Sequence, residues 1–215
     1  MIYLILTASL KNNISSCVVE NRLERYEYAI CETLRHVPSG VYPIIVENTY
    51  HGKEASPLEG KFTHDHSAVD IIYTDNGHLS MRNKGVNEWL DIRHVIDQYE
   101  MKDDDIIIKL TGRYRFLSSW LFEEIEQTKT KKDVWFRFMN VCTGQNDKQD
   151  CVLGCYAARV STLSYLSWSW INLFDSPEKA IAKYIRSFVE TDRIVEMSHL
   201  DVECLFSENG RVLCV

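Results

Sequence analysis

The chain has no Cys-x-x-Cys pair, no apolar run of transmembrane length, no basic excess, no internal repeat and no low-complexity linker. Each absence excludes something. The seven cysteines, at positions 17, 31, 142, 151, 155, 204 and 214, are odd in number and scattered, and Cys151 and Cys155 find no matching Cys or His pair to complete a zinc set. Reduced thiols in a cytosol are the expectation. A net charge of −7 argues against a nucleic-acid binder, which usually carries a basic face. It leaves room for a phosphate-bearing small molecule, which needs only a few local donors. The opening Met1-Ile2-Tyr3-Leu4-Ile5-Leu6 lacks a basic flank and is too short for a signal core, and no run reaches the roughly 20 apolar residues of a membrane span. A soluble, cytoplasmic protein follows as the expectation.

What is present is enough for a sizeable core. Hydrophobic residues make up 45% of 215 positions and charged residues 26%, ordinary for a globular domain. Residues 2–6 read as a buried first strand ending in Thr7-Ala8-Ser9. A helix follows from about Asn21, where Asn21 and Glu24 form a capping-box pattern and Leu23, Tyr26, Ile30, Leu34 and Val37 share a face up to Pro38. Ile44–Glu47 is a second strand ending in Asn48, residues 51–67 a polar surface excursion, and Val69–Tyr73 a third strand closed by Thr74-Asp75-Asn76-Gly77. Arg82-Asn83-Lys84-Gly85 precedes a helix with Trp89, Ile92, Ile96 and Tyr99 on its apolar face. Ile106–Leu110 is a fourth, central strand.

The second half alternates again. Ser118-Ser119 opens a helix carrying Leu121, Phe122 and Ile125. Val134–Met139 and Leu153–Val160 read as strands, and Ser161 to Phe174 as one Trp- and Leu-rich helix. Ser176-Pro177-Glu178 is a strong helix start. Ile194–Leu200 and a hairpin of Val202–Phe206 with Arg211–Val215 close the chain. The pattern predicts an α/β fold with a central mixed, mostly parallel sheet and helices on both faces.

Ligands of open α/β sheets bind at the carboxyl ends of the parallel strands. Those ends hold Thr7-Ala8-Ser9, Asn48, Thr74-Asp75-Asn76 and Thr111-Gly112-Arg113. Asp103-Asp104-Asp105 has an Asp-x-Asp pattern but precedes its strand, so it belongs to the opposite rim and reads as a turn. His64-Asp65-His66 has no third element at useful spacing for a metal. Arg82, Lys84 and Gly85 put two cations and a glycine at a helix N-terminus, an arrangement suited to a diphosphate and equally to a solvated basic turn.

This order of elements resembles the nucleotide-sugar-binding half of GT-A-type (Rossmann-like) glycosyltransferases. The phrases Ile108-Lys109-Leu110-Thr111-Gly112-Arg113-Tyr114-Arg115-Phe116 and Gly154-Cys155-Tyr156-Ala157-Ala158-Arg159 are similar to those of such enzymes from large DNA viruses, in particular the N-terminal glycosyltransferase domains of chlorella-virus proteins that act on the major capsid protein. The resemblance implies a single glycosyltransferase domain over 1–215, the N-terminal part of a longer polypeptide with further domains. It implies transfer of a hexose or deoxyhexose from a UDP-sugar to a glycan or glycoprotein, here a viral capsid glycoprotein, with a lean towards retention.

By the same resemblance Thr7, Ala8 and Ser9 contact the nucleoside, and Arg82, Lys84 and Gly85 reach the diphosphate or sugar. Asn48, Asn76, Thr111 and Gly112 complete the donor site. Thr111-Gly112-Arg113 stands where the family has Asp-x-Asp. Arg113 would then neutralise phosphate, while Asp75 serves as catalytic and metal carboxylate, with His199 a further ligand for Mn²⁺ or Mg²⁺. The alternative is a non-catalytic nucleotide- or glycan-binding module of a larger viral or envelope protein. A nucleotidyltransferase would call for a Gly-rich loop after the first strand, and Thr7-Ala8-Ser9-Leu10-Lys11 has none.

Overall fold

The computed structural model describes residues 1–11, 22–50, 55–76, 84–139, 149–206 and 211–215. Its centre is the strand Ile106–Thr111, β6, buried at every position. Both faces of a strand can be this apolar only when helices cover both sides of the sheet. Seven strands form that sheet in the order β10-β8-β9-β6-β1-β2-β5. They are β1 (Ile2–Ala8), β2 (Val41–Glu47), β5 (Asp70–Tyr73), β6, β8 (Val134–Phe136), β9 (Cys155–Arg159) and β10 (Ile194–Glu196). The pairs β1–β2, β1–β6, β2–β5 and β8–β10 are parallel, whereas β9 runs antiparallel to both β6 and β8. The expected mixed, mostly parallel sheet is the observed one.

Alternate residues of the strands feed two separate cores. Leu4, Leu6, Ile108 and Leu110 pack with Tyr26 and Ile30 of α1 (Arg22–Leu34) and Leu121, Phe122 and Ile125 of α3 (Trp120–Thr128). Tyr3, Ile5, Ile44 and Ile107 face the other way, onto α2 (Lys84–Gln98), α4 (Val160–Ser164), α5 (Trp168–Asn172) and α6 (Pro177–Phe188). The start of α6 is as expected: Ser176 caps it, its hydroxyl accepting from Lys179 N at 3.2 Å, with Pro177 in the first turn. A second, three-stranded sheet joins β12 (Val212–Cys214), β11 (Val202–Leu205) and β7 (Arg115–Phe116), so the closing hairpin gains a strand from the segment after β6.

Four expectations about elements need correction. The single helix over 161–174 is two, because Ser167 takes extended backbone (φ −96°, ψ 150°) and its hydroxyl accepts from Trp170 N, starting α5 afresh. The strand expected to Met139 ends at Phe136; Met139 has φ 64°, and only Phe138 continues, as an isolated bridge to Cys151. The strand expected from Leu153 begins at Cys155, two residues later. The excursion at 51–67 contains a small hairpin, β3 (Thr63–His64) with β4 (Ser67–Ala68). Asp65 and His66, at φ 47° and 63°, form its two-residue turn in the primed geometry that matches strand twist. That accounts for His64-Asp65-His66 without a metal: Asp65 accepts from Ser39 Oγ (2.9 Å) and Gly40 N (3.3 Å).

Candidate functional site

The carboxyl ends of β1, β2, β5 and β6 lie on one rim, since these four strands are mutually parallel in register. The acids before β6 lie on the other rim. There Asp105 accepts from the Met1 amino group at 2.5 Å and from Lys102 N at 2.8 Å, while the Asp103 and Asp105 carbonyls accept from Ser161 N and Val160 N. These groups hold the turn and the start of α4 together.

On the carboxyl rim, two carboxylates of α2 tie the strand ends together. Glu88 Oε1 accepts from Thr7 Oγ1 at 2.7 Å and lies 2.8 Å from Lys109 Nζ and 3.5 Å from Thr111 Oγ1. Lys109, whose side chain is 1% exposed, also donates to Thr111 Oγ1 and to Leu153 O, both at 2.9 Å. Burial would raise the Glu88 pKa, but the Lys109 charge and hydrogen bond, with that of Thr7, outweigh it and hold the carboxyl below its ordinary value. Three residues on, Asp91 accepts from Thr74 Oγ1 (2.5 Å), Asn48 Nδ2 (2.7 Å) and Asn76 Nδ2 (2.9 Å). Ser9 Oγ donates to Asn48 Oδ1 at 2.5 Å and extends the chain to β1. Burial pushes Asp91 up despite its three donors. Glu47, at the end of β2, is also pushed up by burial against the hydrogen bonds from Thr49 and Leu10, and its Oε2 is buried with no hydrogen-bond partner among the described residues.

Gly112 turns the chain directly against β1. Its N–H donates to Thr7 O at 2.9 Å, and a Cβ there would meet that oxygen at 3.0 Å and the Tyr26 ring at 3.1 Å. The approach is too close for another residue without a shift. Arg113 follows, half-buried. Its Nε donates to Leu205 O at 2.9 Å and its guanidinium lies 5.3 Å from the Tyr114 ring centroid. Burial alone would lower its pKa, but Tyr26, Tyr114 and Glu88 more than offset that, so the cation is held in its charged form. Gly154, at the turn into β9, packs so closely on the Tyr114 ring that a Cβ would overlap it. The Gly154–Arg159 phrase is therefore architectural. Its last residue ties the far rim, with Nε 2.9 Å from Asp133 Oδ1 and Nη1 2.7 Å from Asp104 O.

Of the residues singled out in the sequence, Thr7, Ser9, Asn48, Asn76, Thr111, Gly112 and Arg113 come together on this rim, through Glu88, Asp91 and the Thr7–Gly112 contact. Ala8 is the buried last residue of β1, and exposed Asp75 follows β5 on the same rim. Gly85 lies in the first turn of α2; the Lys84 side chain and Arg82 fall outside the described residues. His199 is exposed, stacked on Trp120 with centroids 4.0 Å apart and 3.0 Å from Ser198 Oγ.

Among the described residues no three His, Cys, Asp or Glu groups converge on a common point. Among the described residues no cysteine is in a disulfide; burial pushes the Cys151 thiol well up and that of Cys155 to about 12, which makes both inert. No described helix is long and apolar enough to cross a membrane.

Sequence reasoning missed Glu88, Asp91 and Lys109. A signal existed for each. Lys109 interrupts an otherwise apolar buried strand and so needs a counter-ion, and Glu88 and Asp91 stand three apart on α2 beside its apolar face.

A seven-stranded mixed sheet, covered on both faces and with its polar rim at the parallel strand ends, defines the fold class as GT-A type. The mouse xyloside xylosyltransferase 1 in its apo form superposes with a TM-score of 0.50 over 91% of this chain and 84% of its own, at 11% identity. No protein-family model and no curated protein sequence matches the chain.

Proposed function

We propose that the protein is a glycosyltransferase that moves a hexose or deoxyhexose from a UDP-sugar to a glycan, with a viral capsid glycoprotein as acceptor. The observation that carries this reading is the convergence of Thr7, Glu88, Thr111 and Arg113 at the strand ends of a GT-A-type sheet. In the reaction the bond from the sugar anomeric carbon to the diphosphate breaks, a bond to the acceptor oxygen forms, and the acceptor proton is released. Negative charge grows on the departing diphosphate, so the main requirement is a fixed cation close to it.

Arg113 meets that requirement. Its Nε is anchored on Leu205 O and the guanidinium is also bonded to Tyr26, which orients the planar fork; its remaining N–H groups are the ones proposed to meet phosphate oxygens. Thr7, Ser9 and Asn48 form the adjoining wall for the nucleoside, with Asn76, Thr111 and Gly112 beside them. Arg82 and Lys84 would add charge at the diphosphate, with Gly85, in the first turn of α2, next to them in sequence. The reading includes Mn²⁺ or Mg²⁺ with Asp75 as its oxygen ligand and His199 as the second. Because no three such donors converge among the described residues, no step is routed through the ion. A retaining outcome is in keeping with Glu88 and Asp91 being engaged by protein donors rather than held as a free base for an acceptor hydroxyl.

Incubation with a panel of UDP-sugars and glycan acceptors tests the reading. Release of UDP is expected, and Arg113→Ala should lower turnover by roughly 10²-fold, the scale of losing one charge-stabilising group. Unchanged turnover in that variant removes Arg113 from the chemistry. Binding of the donor with no release of UDP assigns the chain to the non-catalytic module class instead.

A further inference from the structure

A cavity of about 580 Å³ opens at the far rim, between α4, α5, α6 and the turn Thr191–Arg193. It lies at the opposite end of β6 from Gly112, the strand between them spanning roughly 20 Å. Nothing proposed for the donor crevice uses it. Its size falls within the roughly 300–1,000 Å³ of small-molecule sites.

One wall is aromatic. Trp170, Tyr184 and Phe188 pack on each other with centroids 5.2–6.4 Å apart. Trp170 Nε1 is fixed on Ala180 O (2.9 Å) and the Tyr184 hydroxyl on Thr162 O (2.8 Å), so this wall is rigid before any ligand arrives. Tyr165, 86% exposed, stands at the mouth. The other wall is polar: Ser161 and Thr162 present hydroxyls that have no partner among the described residues, and Glu190 presents an exposed carboxylate.

The charges decide the ligand class. The one cation of the lining, Arg193, is held on Asp133 by two bonds of 2.9 and 2.7 Å, and nearby Lys132 donates to Asp192 O at 2.7 Å. A phosphate would therefore meet a carboxylate and no uncommitted guanidinium. Trp170 stands edge-to-face against Tyr184 and Phe188, at 69° and 75°, and the three rings touch one another, so they leave no gap between them in which an ammonium ion would be enclosed. A purely apolar ligand would leave the free hydroxyls and Glu190 dry. What matches both walls is a flat molecule with C–H groups on one face and hydroxyls around its edge. The electron-rich ring faces attract the C–H side, and Glu190, Ser161 and Thr162 take the hydroxyls.

We propose that this cavity is a neutral-saccharide-binding site, separate from the strand-end crevice and independent of whether that crevice is catalytic. It holds one or two pyranose units against the Trp170–Phe188 wall. In a glycan-modifying protein it would grip a growing or branched glycan away from the reacting end.

The test is titration of the whole chain with neutral disaccharides (xylobiose, cellobiose, lactose and mannobiose) to about 20 mM, well above a weak Kd of about 1 mM, followed by tryptophan fluorescence and by chemical shifts of the Trp170 indole N–H. At least one sugar should shift both signals. Tyr165→Ala and Glu190→Gln, which alter exposed side chains outside the core, should each weaken that binding about tenfold or more, while leaving UDP release unchanged. Arg113→Ala should leave saccharide binding intact. The proposal is overturned if none of the sugars shifts the indole signal, if both variants bind as wild type, or if UMP or tetramethylammonium occupies the cavity in preference to the sugars. It is also overturned if Tyr165→Ala abolishes a dimer, which would make the patch an interface between copies.

Discussion

Lys109 is a cation in the middle of a buried strand, and its stability rests on Glu88. Coulomb attraction at 2.8 Å and three acceptors for the ammonium offset the cost of removing it from water. Removing only one partner leaves the other charge buried and unpaired. Glu88→Gln is therefore expected to cost about 3 kcal/mol in urea unfolding at neutral pH, the low end for a broken buried pair because 27% of the Glu88 side chain still meets solvent. A loss under about 1 kcal/mol would show that Lys109 finds another partner. Glu88→Gln paired with Lys109→Met should recover part of that loss, since the uncompensated charge is then gone. Gly112 is the second residue whose identity is dictated by contact. A Cβ would meet the carbonyl of Thr7 at 3.0 Å and the ring of Tyr26 at 3.1 Å, so any larger residue at the turn towards Arg113 requires those neighbours to shift by a few tenths of an ångström.

At the scale of elements, α2 does two jobs. Its apolar face, with Val86, Trp89, Ile92 and Ile96, packs on the sheet. Its Glu88 and Asp91 reach over the strand ends and fix Thr7, Asn48, Thr74 and Asn76 in place. The helix ends in a Schellman turn: Met101 N donates to Ile96 O at 3.1 Å and Glu100 N to Asp97 O at 3.3 Å. The residue in the left-handed position is Glu100, at φ 48°, where glycine is usual and other residues are strained. Glu100→Gly should thus stabilise the protein by about 0.5–1 kcal/mol, read as a higher denaturant midpoint at unchanged slope. A lower midpoint would mean that the glutamate side chain contributes more than its backbone costs. The position of α2 was legible from its 3.6-residue periodicity. Its role as the carrier of the site carboxylates was not, because Glu88 and Asp91 look like ordinary polar residues until the helix is laid over the parallel strand ends.

For the whole molecule, opposed carboxylates set the pH dependence. Glu88 is depressed chiefly by Lys109, against its burial, and Glu203 is depressed by its bond to Arg115. Their contributions are present above the unfolded carboxylate values of about 4 and are lost as pH falls through the lower folded values. Glu47 and Asp91 are raised by burial, so the folded state binds their protons more tightly. They favour folding more as pH drops towards about 4 from above their folded values. Thermal stability is therefore expected to rise as pH is lowered from 7 into the mildly acid range and then fall below about pH 4. Asp91→Asn should flatten the first limb, and a melting temperature that falls monotonically from pH 7 would contradict the raised values.

The sequence by itself determined the α/β alternation, the central place of Ile106–Thr111, the rim to which Asp103–Asp105 belongs and the polar strand ends that build the crevice. These follow from local periodicity and from strand direction, which short stretches of chain encode. Only the tertiary structure decided which side chains meet. The Glu88–Lys109 pair, the Asp91 hub and the wall of Trp170, Tyr184 and Phe188 join residues whose meeting depends on how helices lie across the sheet. That arrangement is set by the packing of the two cores together and is not written in any one segment.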